Sequence, residues 1–194
     1  IITYLIWTPT WLIRTYGWDA PKTGLVFGGL ILVLGTSGAY AGGFVADWFQ
    51  DRGREDAILR ATMYGGLLAI PFGIATPLMP NETSAVICLA FTSFLIAFPQ
   101  GLPAAALQVI SPNRLRAQMT ALYFLVGNMI ALGVGPILVA LFTDVVFEDP
   151  MMLRYSMSIV CAIVFPLGVG AVYMSLKPYR ASVERTRALV SIVE

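Results

Sequence analysis

Residues 117–143, AQMTALYFLVGNMIALGVGPILVALFT, contain no charged side chain and decide the fold class. A helix that crosses a bilayer needs about 20 predominantly apolar residues, which this stretch supplies. Similar segments recur along the chain and are separated by short runs rich in charged residues, proline and glycine. We therefore predict an all-α, polytopic membrane protein with six transmembrane helices, at about 1–16, 24–46, 58–79, 85–108, 117–143 and 155–176.

The composition excludes the main soluble classes. Of the 194 residues, 58% are hydrophobic and 12% are charged, and the mean hydropathy is +0.79. A soluble domain carries about 25% charged residues, so this chain cannot cover a water-facing surface as a soluble enzyme or nucleic-acid-binding protein would. The net charge of +1 provides no basic field for a polyanion. Histidine is absent, and Cys88 and Cys161 lie in apolar runs, so we expect no metal site, cofactor or disulfide.

We divide the chain into a six-helix transmembrane bundle at 1–176 and a tail at 177–194. The first segment is short for a span and no initiator Met precedes it, so we expect the chain to belong to a longer polypeptide. The tail combines basic and apolar residues, which fits an amphipathic helix on the inner membrane surface and equally fits a solvated tail. These residues are Arg180, Arg185 and Arg187 with Val183, Leu189, Val190 and Ile192.

The distribution of Lys and Arg predicts the orientation, because cytoplasmic loops carry an excess of both. Alternating crossings leave Arg14, Lys22 and Arg154 on one side. The other side collects Arg52, Arg54, Arg60, Arg114, Arg116, Lys177, Arg180, Arg185 and Arg187. We therefore predict an inner (cell) membrane protein whose loops at 47–57 and 111–116 and whose C-terminus are cytoplasmic.

Polar side chains near mid-depth predict which helices face a polar interior, because such groups are costly against lipid. They occur in the first, second, fourth and fifth segments, as Thr3, Tyr4, Trp7, Thr8, Thr36, Ser37, Tyr40, Ser93, Gln100 and Asn128. The third and sixth segments have none near mid-depth, so we predict that these two face lipid. The alternative for each residue is a hydrogen bond to a neighbouring helix.

The run Phe98-Pro99-Gln100-Gly101-Leu102-Pro103 predicts a break in the fourth helix, because each proline removes a backbone hydrogen bond. We interpret Pro99, Gly101 and Pro103 as a gating bend, and a static kink is the alternative. Small residues four positions apart also predict close helix contacts. These pairs are Gly24/Gly28, Gly38/Gly42 and Ala131/Gly135.

The loop after the second segment contains Gly43-Phe44-Val45-Ala46-Asp47, followed by Arg52-Gly53-Arg54. Gly43 would allow a neighbouring helix to approach, and Asp47 would accept hydrogen bonds from the N-terminus of the fifth helix, where the helix dipole favours an anion. This stretch resembles the GxxxD…RxGR loop of the major facilitator superfamily. It departs from that pattern because residues 48–51 lengthen the spacing before Arg52. A charged loop without this role is the alternative.

Two further stretches narrow the resemblance. Residues 7–12, WTPTWL, are similar to the seventh helix of spinster-like and related organic-anion carriers. Residues 111–136 resemble the spinster-like tenth loop and eleventh helix, and residues 144–155 extend the likeness. The resemblance covers nearly the whole chain, as helices seven to twelve of a twelve-helix transporter.

This resemblance implies secondary active transport by rocker-switch alternating access, with substrate bound near mid-membrane and with proton coupling through the N-terminal half. The implied substrate is an amphiphilic or organic-anion small molecule of the lysophospholipid or sphingolipid type. Its expected ligands are Tyr4, Trp7, Thr8, Thr36, Tyr40, Phe98, Gln100, Tyr123 and Asn128. A cytoplasmic latch would comprise Gly43, Asp47, Arg52, Gly53 and Arg54. The lipid bilayer and an N-terminal six-helix half would be the partners.

A different class stays open. The chain could be a self-contained six-helix membrane protein that dimerises as a channel or scaffold through its glycine-rich faces. An enzyme is not expected, because the segments offer neither histidine nor an embedded carboxylate for acid–base chemistry.

Overall fold

Every regular element in the computed structural model is a helix, within the residues that it describes, 2–112 and 114–193, with side chains as far as Arg185. Short π-helical turns at Ile31–Gly35 and Phe142–Val146 and 3₁₀ turns at Thr76–Leu78 and Pro150–Met152 join or extend the α-helices. The α-helices are α1 (Ile2–Tyr16), α2 (Ala20–Leu30), α3 (Thr36–Asp51), α4 (Ala57–Ala75), α5 (Glu82–Ala97), α6 (Leu102–Ile110), α7 (Arg116–Leu141) and α8 (Leu153–Val193).

Five helical stretches in the described chain are long and apolar enough to cross a membrane, which fits a helical membrane protein. They cover Ala20–Asp51, Ala57–Leu78, Glu82–Ile110, Arg116–Val146 and Pro150–Arg185, and they match the last five predicted segments. The first predicted segment is also helical, but the 15 residues of α1 are fewer than a span requires. At about 1.5 Å per residue, α1 is shorter than the hydrocarbon core, which is about 30 Å thick.

Successive long helices run in opposite directions, so the bundle has two ends. At the Lys22 end, Lys22 Nζ contacts Glu82 Oε1 at 2.5 Å, and this ion pair joins the starts of α2 and α5. At the opposite end, which we call the Asp56 end, Arg180 Nε donates to Asp56 Oδ2 at 2.8 Å. That bond joins α8 to the start of α4.

Helix α4 lies at the centre of the packing, against α3, α5, α6 and α8. One side of it carries a small residue at every fourth position, and all of these residues are buried: Ala57, Ala61, Ala69, Gly65 and Gly73. Because small side chains allow close packing, neighbouring helices cover this side. Our prediction that this helix faces lipid therefore describes only its opposite side, where Tyr64, Leu67 and Leu68 are exposed.

Helices α3 and α5 approach each other through glycine. A Cβ atom at Gly38 or Gly42 would lie closer than 3.0 Å to the backbone carbonyl oxygen of Phe94 or Phe98, respectively. This confirms the close contact predicted for the Gly38/Gly42 pair. Gly135 is equally close to Thr3 of α1, as predicted for α7.

Three other glycines that we expected to face a neighbouring helix do not. A Cβ atom at Gly24, Gly28 or Gly43 would meet nothing within 4 Å among the described residues. No neighbouring helix of the described residues approaches Gly43, because successive helical residues point about 100° apart, and its role in a latch stays a prediction. Its neighbour Gly42 occupies the contact instead.

Helix α8 continues past residue 176 without interruption, so the described part of the tail extends the sixth span. Tyr179 and Val183 are buried in a cluster with Leu59 of α4 and Ala106 of α6. The tail therefore packs on the bundle as far as Arg185. The predicted contributions of Arg187, Leu189, Val190 and Ile192 to an amphipathic face lie outside the described side chains.

Candidate functional site

Residues 98–101 interrupt the helix between α5 and α6, as the proline pattern predicted. Pro99 has no N–H, so the carbonyl of Leu95 lacks its usual i+4 donor. The chain turns instead through hydrogen bonds from Gln100 N to Ala97 O at 3.0 Å and from Leu102 N to Pro99 O at 3.3 Å. The break leaves Gln100 exposed. Its use as a gating bend stays a prediction.

A second interruption lies in the neighbouring helix, where the π turn Ile31–Gly35 joins α2 to α3 and packs against α5. π turns inside α-helices are rare and occur frequently at functional sites. Sequence reasoning missed this turn, because no residue type in ILVLG distinguishes a π turn from an ordinary apolar helix. The two helix interruptions flank the same space.

That space is a cavity of ≈ 390 Å³ between α1, the π turn and α5, which we call the Gln100 cavity. It brings together three of the predicted substrate ligands, Tyr4, Thr36 and Gln100, and adds Ser93. The rest of its lining is apolar: Leu5, Phe27, Ile31, Gly35, Ala39, Ile96 and Ala97. Its polar groups are therefore hydroxyls and one amide, and none of its lining residues carries a charge.

A second cavity of ≈ 310 Å³, which we call the Tyr123 cavity, adjoins the same break. Gln100 and Tyr123 line it, so it contains two predicted ligands, and Gln100 borders both cavities. Most of its other lining is apolar and comes from α4, α5, α6 and α8: Thr62, Gly66, Ala69, Leu95, Ile96, Pro99, Pro103, Val164, Phe165, Gly168, Val169 and Val172. Of the residues that line both cavities, Gln100 is the one with a polar side chain.

Tyr4 forms part of the Gln100 cavity wall and also reaches into the core. Its side chain is 5% exposed, and its hydroxyl lies beside Thr76 and Thr92 without a well-formed hydrogen bond in the described residues. The Thr76 and Thr92 hydroxyls are 2.7 Å apart, and each also lies within 2.9 Å of a carbonyl oxygen of its own helix. The Thr76 and Thr92 hydroxyls have two protons for these three contacts, so one of the three contacts lacks a donor proton.

Two predicted ligands on α1 have structural partners instead. The Trp7 indole N–H donates to the backbone oxygen of Pro136 at 3.3 Å and links α1 to α7. Thr8 is fully buried, and its hydroxyl donates to the backbone oxygen of Tyr4 at 2.6 Å. Neither residue lines the Gln100 or the Tyr123 cavity.

The remaining predicted ligands, Phe98, Tyr40 and Asn128, also lie outside both cavities. The Phe98 ring fills the space above Gly65. Tyr40 is 79% exposed, and the Asn128 amide is exposed and donates to Phe124 O at 2.8 Å. The structure therefore brings four of the nine predicted ligands to the two cavities and separates the other five from them.

The predicted latch motif forms the turn after α3. Gly53 has a φ of 75°, which favours glycine, and this conformation ends the helix. The Arg52 guanidinium lies 3.5 Å from the ring centre of Trp48, and Arg54 lies 5.8 Å from that of Phe49. Both arginines therefore fold back on aromatic residues of the preceding helix, α3.

Asp47 of the predicted latch is exposed, and it makes no hydrogen bond or ion pair within residues 2–112 and 114–185. The start of α7, its expected partner, has Leu115 as N-cap without a side-chain hydrogen bond. Asn113, in the same loop, lies outside the described residues. The contact between Asp47 and α7 thus stays a prediction.

Sequence reasoning missed the buried ion pairs of Asp56, whose side chain is only 2% exposed. Both of its oxygens accept from Arg60 Nε at 2.9 Å, and Arg180 Nε donates at 2.8 Å. Burial alone would raise the pKa of Asp56, but hydrogen bonds from the two guanidinium groups outweigh it and hold that pKa below its usual value. The i,i+4 spacing of Asp56 and Arg60 could have indicated the first pair.

Neither cavity is lined by an Asp, Glu, Lys or Arg side chain. Within the described residues, no group of three or more potential metal ligands comes together. The two cavities can therefore bind a solute through apolar contact, hydroxyl groups and one amide. Comparisons with family models, characterised proteins and solved structures find no match for this chain.

Proposed function

We propose that this chain forms the C-terminal six-helix half of a major facilitator superfamily transporter of the spinster-like type. It would move an amphiphilic or organic-anion solute across the membrane by alternating access. The observation that carries the proposal is the Gln100 cavity, an uncharged, mostly apolar space with hydroxyl groups and one amide, bounded by a helix break and a π turn. Broken helices inside a bundle are tolerated where they line a cavity, and transporters use them at binding sites.

In this proposal Gln100 is the principal solute ligand. Its amide can both donate and accept hydrogen bonds, and it borders both cavities. Thr36 and Ser93 would contact the polar part of the solute, and the apolar walls would contact its hydrocarbon part. Because no charged group lines the cavities, a coupling proton would be bound elsewhere, in the N-terminal half.

The orientation and the latch belong to the same proposal. The Asp56 end would face the cytoplasm, because it carries most of the Arg and Lys residues. Asp47 and the start of α7 would meet in one state of the transport cycle and separate in the other. The exposed position of Asp47 is compatible with the separated state.

The test is flux of a fluorescent lysophosphatidylcholine into proteoliposomes containing the native polypeptide. Gln100→Leu should reduce the initial rate at least tenfold while the yield of folded protein is unchanged. Asn128→Leu is the matched control, because Asn128 is a mid-helix amide outside both cavities. Equal losses of flux and folded protein for Gln100→Leu would refute the assignment of Gln100. Equal loss of flux in both variants would place the solute against α7 instead.

A self-contained six-helix protein that dimerises is the second candidate, and the exposure of α7 is compatible with both candidates. Among the residues of that helix only Val139 is buried, so a wide apolar face is available to an N-terminal half or to a second copy. The mass of the single native polypeptide, measured after denaturation so that non-covalent dimers come apart, separates the two candidates. A mass near twice 21.0 kDa would support the transporter half, and a mass near 21.0 kDa would support the dimer.

A further inference from the structure

A third cavity, of ≈ 330 Å³, lies between the first turn of α1 and the two helices α7 and α8, and we call it the α7–α8 cavity. The two helices are joined at the Lys22 end, where the buried Thr143 hydroxyl donates to Ser156 Oγ at 2.9 Å. Away from that end, the cavity extends between them as far as Gly127 on α7 and Phe165 on α8. The helices therefore enclose a space that neither of them fills.

The surface of the α7–α8 cavity is almost entirely hydrocarbon. Among the described residues that line it, none is charged, and Thr3 and Tyr4 alone carry a hydroxyl group. The Thr3 hydroxyl packs against Gly135 of α7, and the Tyr4 hydroxyl lies beside Thr76 and Thr92 in the core. Cavities lined by apolar side chains stay dry and bind apolar molecules. The chemistry of this cavity is therefore that of a site for a hydrocarbon group.

The α7–α8 cavity adjoins both cavities of the candidate site. Tyr4 lines this cavity and the Gln100 cavity. Val164 and Phe165 line this cavity and the Tyr123 cavity. Because Gln100 borders the Gln100 and Tyr123 cavities, the apolar space is next to the polar groups of the candidate site on two sides.

We propose that the α7–α8 cavity binds the hydrocarbon chain of a solute whose polar part contacts Gln100. The inference rests on the proposed function for the position of the polar part, and it adds the site of the chain. Small-molecule sites measure about 300–1,000 Å³, and this cavity is at the lower end of that range, so it holds one chain and not a two-chain lipid. The solute is then a single-chain amphiphile and not a compact organic anion.

The experiment uses a lysophosphatidylcholine that carries a photoreactive diazirine at the end of its acyl chain, added to the native polypeptide in nanodiscs. Irradiation followed by peptide mass spectrometry identifies the residues that the end of the chain contacts. We expect adducts on the cavity-lining residues of α7 and α8, such as Val134, Val160 and Cys161. Unlabelled lysophosphatidylcholine should compete these adducts away. Glycerophosphocholine, which is the same head group without a chain, should not.

Gly127→Leu and Gly133→Leu form a matched pair of variants. Both glycines belong to α7, and a Cβ atom at either would meet nothing within 4 Å among the described residues. Of the two, Gly127 lines the α7–α8 cavity and Gly133 does not. Gly127→Leu should reduce the competed adducts about tenfold, because extra side-chain volume in an occupied cavity has to be accommodated by strain. Gly133→Leu should leave the adducts unchanged.

The wild-type protein alone can overturn the proposal, so the test does not depend on the folding of a variant. Adducts confined to exposed residues such as Leu132, or adducts that unlabelled lysophosphatidylcholine does not compete away, would show that the chain stays in the bilayer. Flux that depends on Gln100 without adducts in the cavity would keep the proposed function and refute this inference. Competed adducts in the cavity without any flux would refute transport and support the chain site.

Discussion

Replacing Gly42 by Ala should separate helices α3 and α5. The added Cβ would lie closer than 3.0 Å to the carbonyl oxygen of Phe98, whereas an ordinary contact of this kind is at 3.4–4 Å. The obstacle is backbone, which cannot rotate aside like a side chain, so one helix must shift. Overpacking costs about 1–3 kcal/mol, and a Cβ this close to a backbone oxygen belongs to the upper part of that range, about 2–3 kcal/mol. The better helix propensity of Ala returns about 1 kcal/mol.

We therefore expect Gly42→Ala to lower the free energy of unfolding by about 1–2 kcal/mol. For a chain of this length, that corresponds to a fall in apparent Tm of about 2–8 °C. Thermal denaturation in detergent, followed by the loss of the monodisperse peak in size-exclusion chromatography, measures it. Phe98 precedes the break that borders the Gln100 cavity, so under the transport function proposed above a shift here should also lower the rate of solute transport.

The matched control is Gly43→Ala, one residue along the same helix. A Cβ atom there meets nothing within 4 Å among the described residues, so only the favourable propensity change remains. Gly43→Ala should leave the Tm unchanged or raise it. If Gly42→Ala were as stable as Gly43→Ala, the close contact between α3 and α5 and the reasoning from it would be refuted.

Four further predictions concern three sites. Asp56→Asn should lower the free energy of unfolding by about 1–3 kcal/mol. This is less than for a fully buried ion pair, because the Arg180 side chain is 46% exposed. A stability equal to that of the wild-type protein would show that the ion pairs do not hold α8 against α4. The same ion pairs predict a pH dependence, because the pKa of Asp56 is lower in the folded state than in the unfolded state. Their contribution to stability is present above the ordinary pKa of an aspartate, about 4, and is lost as the pH falls through the folded pKa. Acid titration of the Tm should therefore show a steeper fall in the wild-type protein than in Asp56→Asn. Gly53→Ala should cost about 1 kcal/mol because φ is 75° there, whereas Gly101→Ala, with ordinary φ and free space, should cost nothing; identical Tm values would contradict this. Tyr4→Phe should keep or raise the Tm, because it removes a buried hydroxyl without a well-formed hydrogen bond, and a clear fall would indicate that the hydroxyl is bonded to Thr76 or Thr92.

Hydropathy and proline pattern predicted the helices well because both act locally along the chain. An apolar segment of membrane length must be helical to satisfy its own backbone, and Pro99 must interrupt the helix that contains it. The break at residues 98–101 and the close approach at Gly38 and Gly42 followed from these local rules. The π turn at Ile31–Gly35 did not, because its residues are those of an ordinary apolar helix.

The site was harder to predict because it depends on which sides of different helices meet. Tyr4, Thr36 and Gln100 do line one cavity, but Thr8 and Trp7 turn to partners within the bundle. A polar residue in a membrane helix can avoid lipid either by lining a polar cavity or by forming a hydrogen bond within the bundle, and the sequence does not distinguish the two. The pairing of Asp56 with Arg180 joins residues 124 positions apart, and no local pattern contains that information.

Accessibility of position 100 from water tests the central claim most directly. Gln100→Cys can be made in the native polypeptide, because the chain's own Cys88 and Cys161 are buried. A charged, membrane-impermeant maleimide is applied to sealed vesicles from one side and then from the other, with Leu68→Cys on the exposed apolar side of α4 as control. A transporter with a solute cavity at Gln100 predicts labelling of position 100 from both sides and none at position 68. Failure of the maleimide to label position 100 from one or both sides would contradict the account.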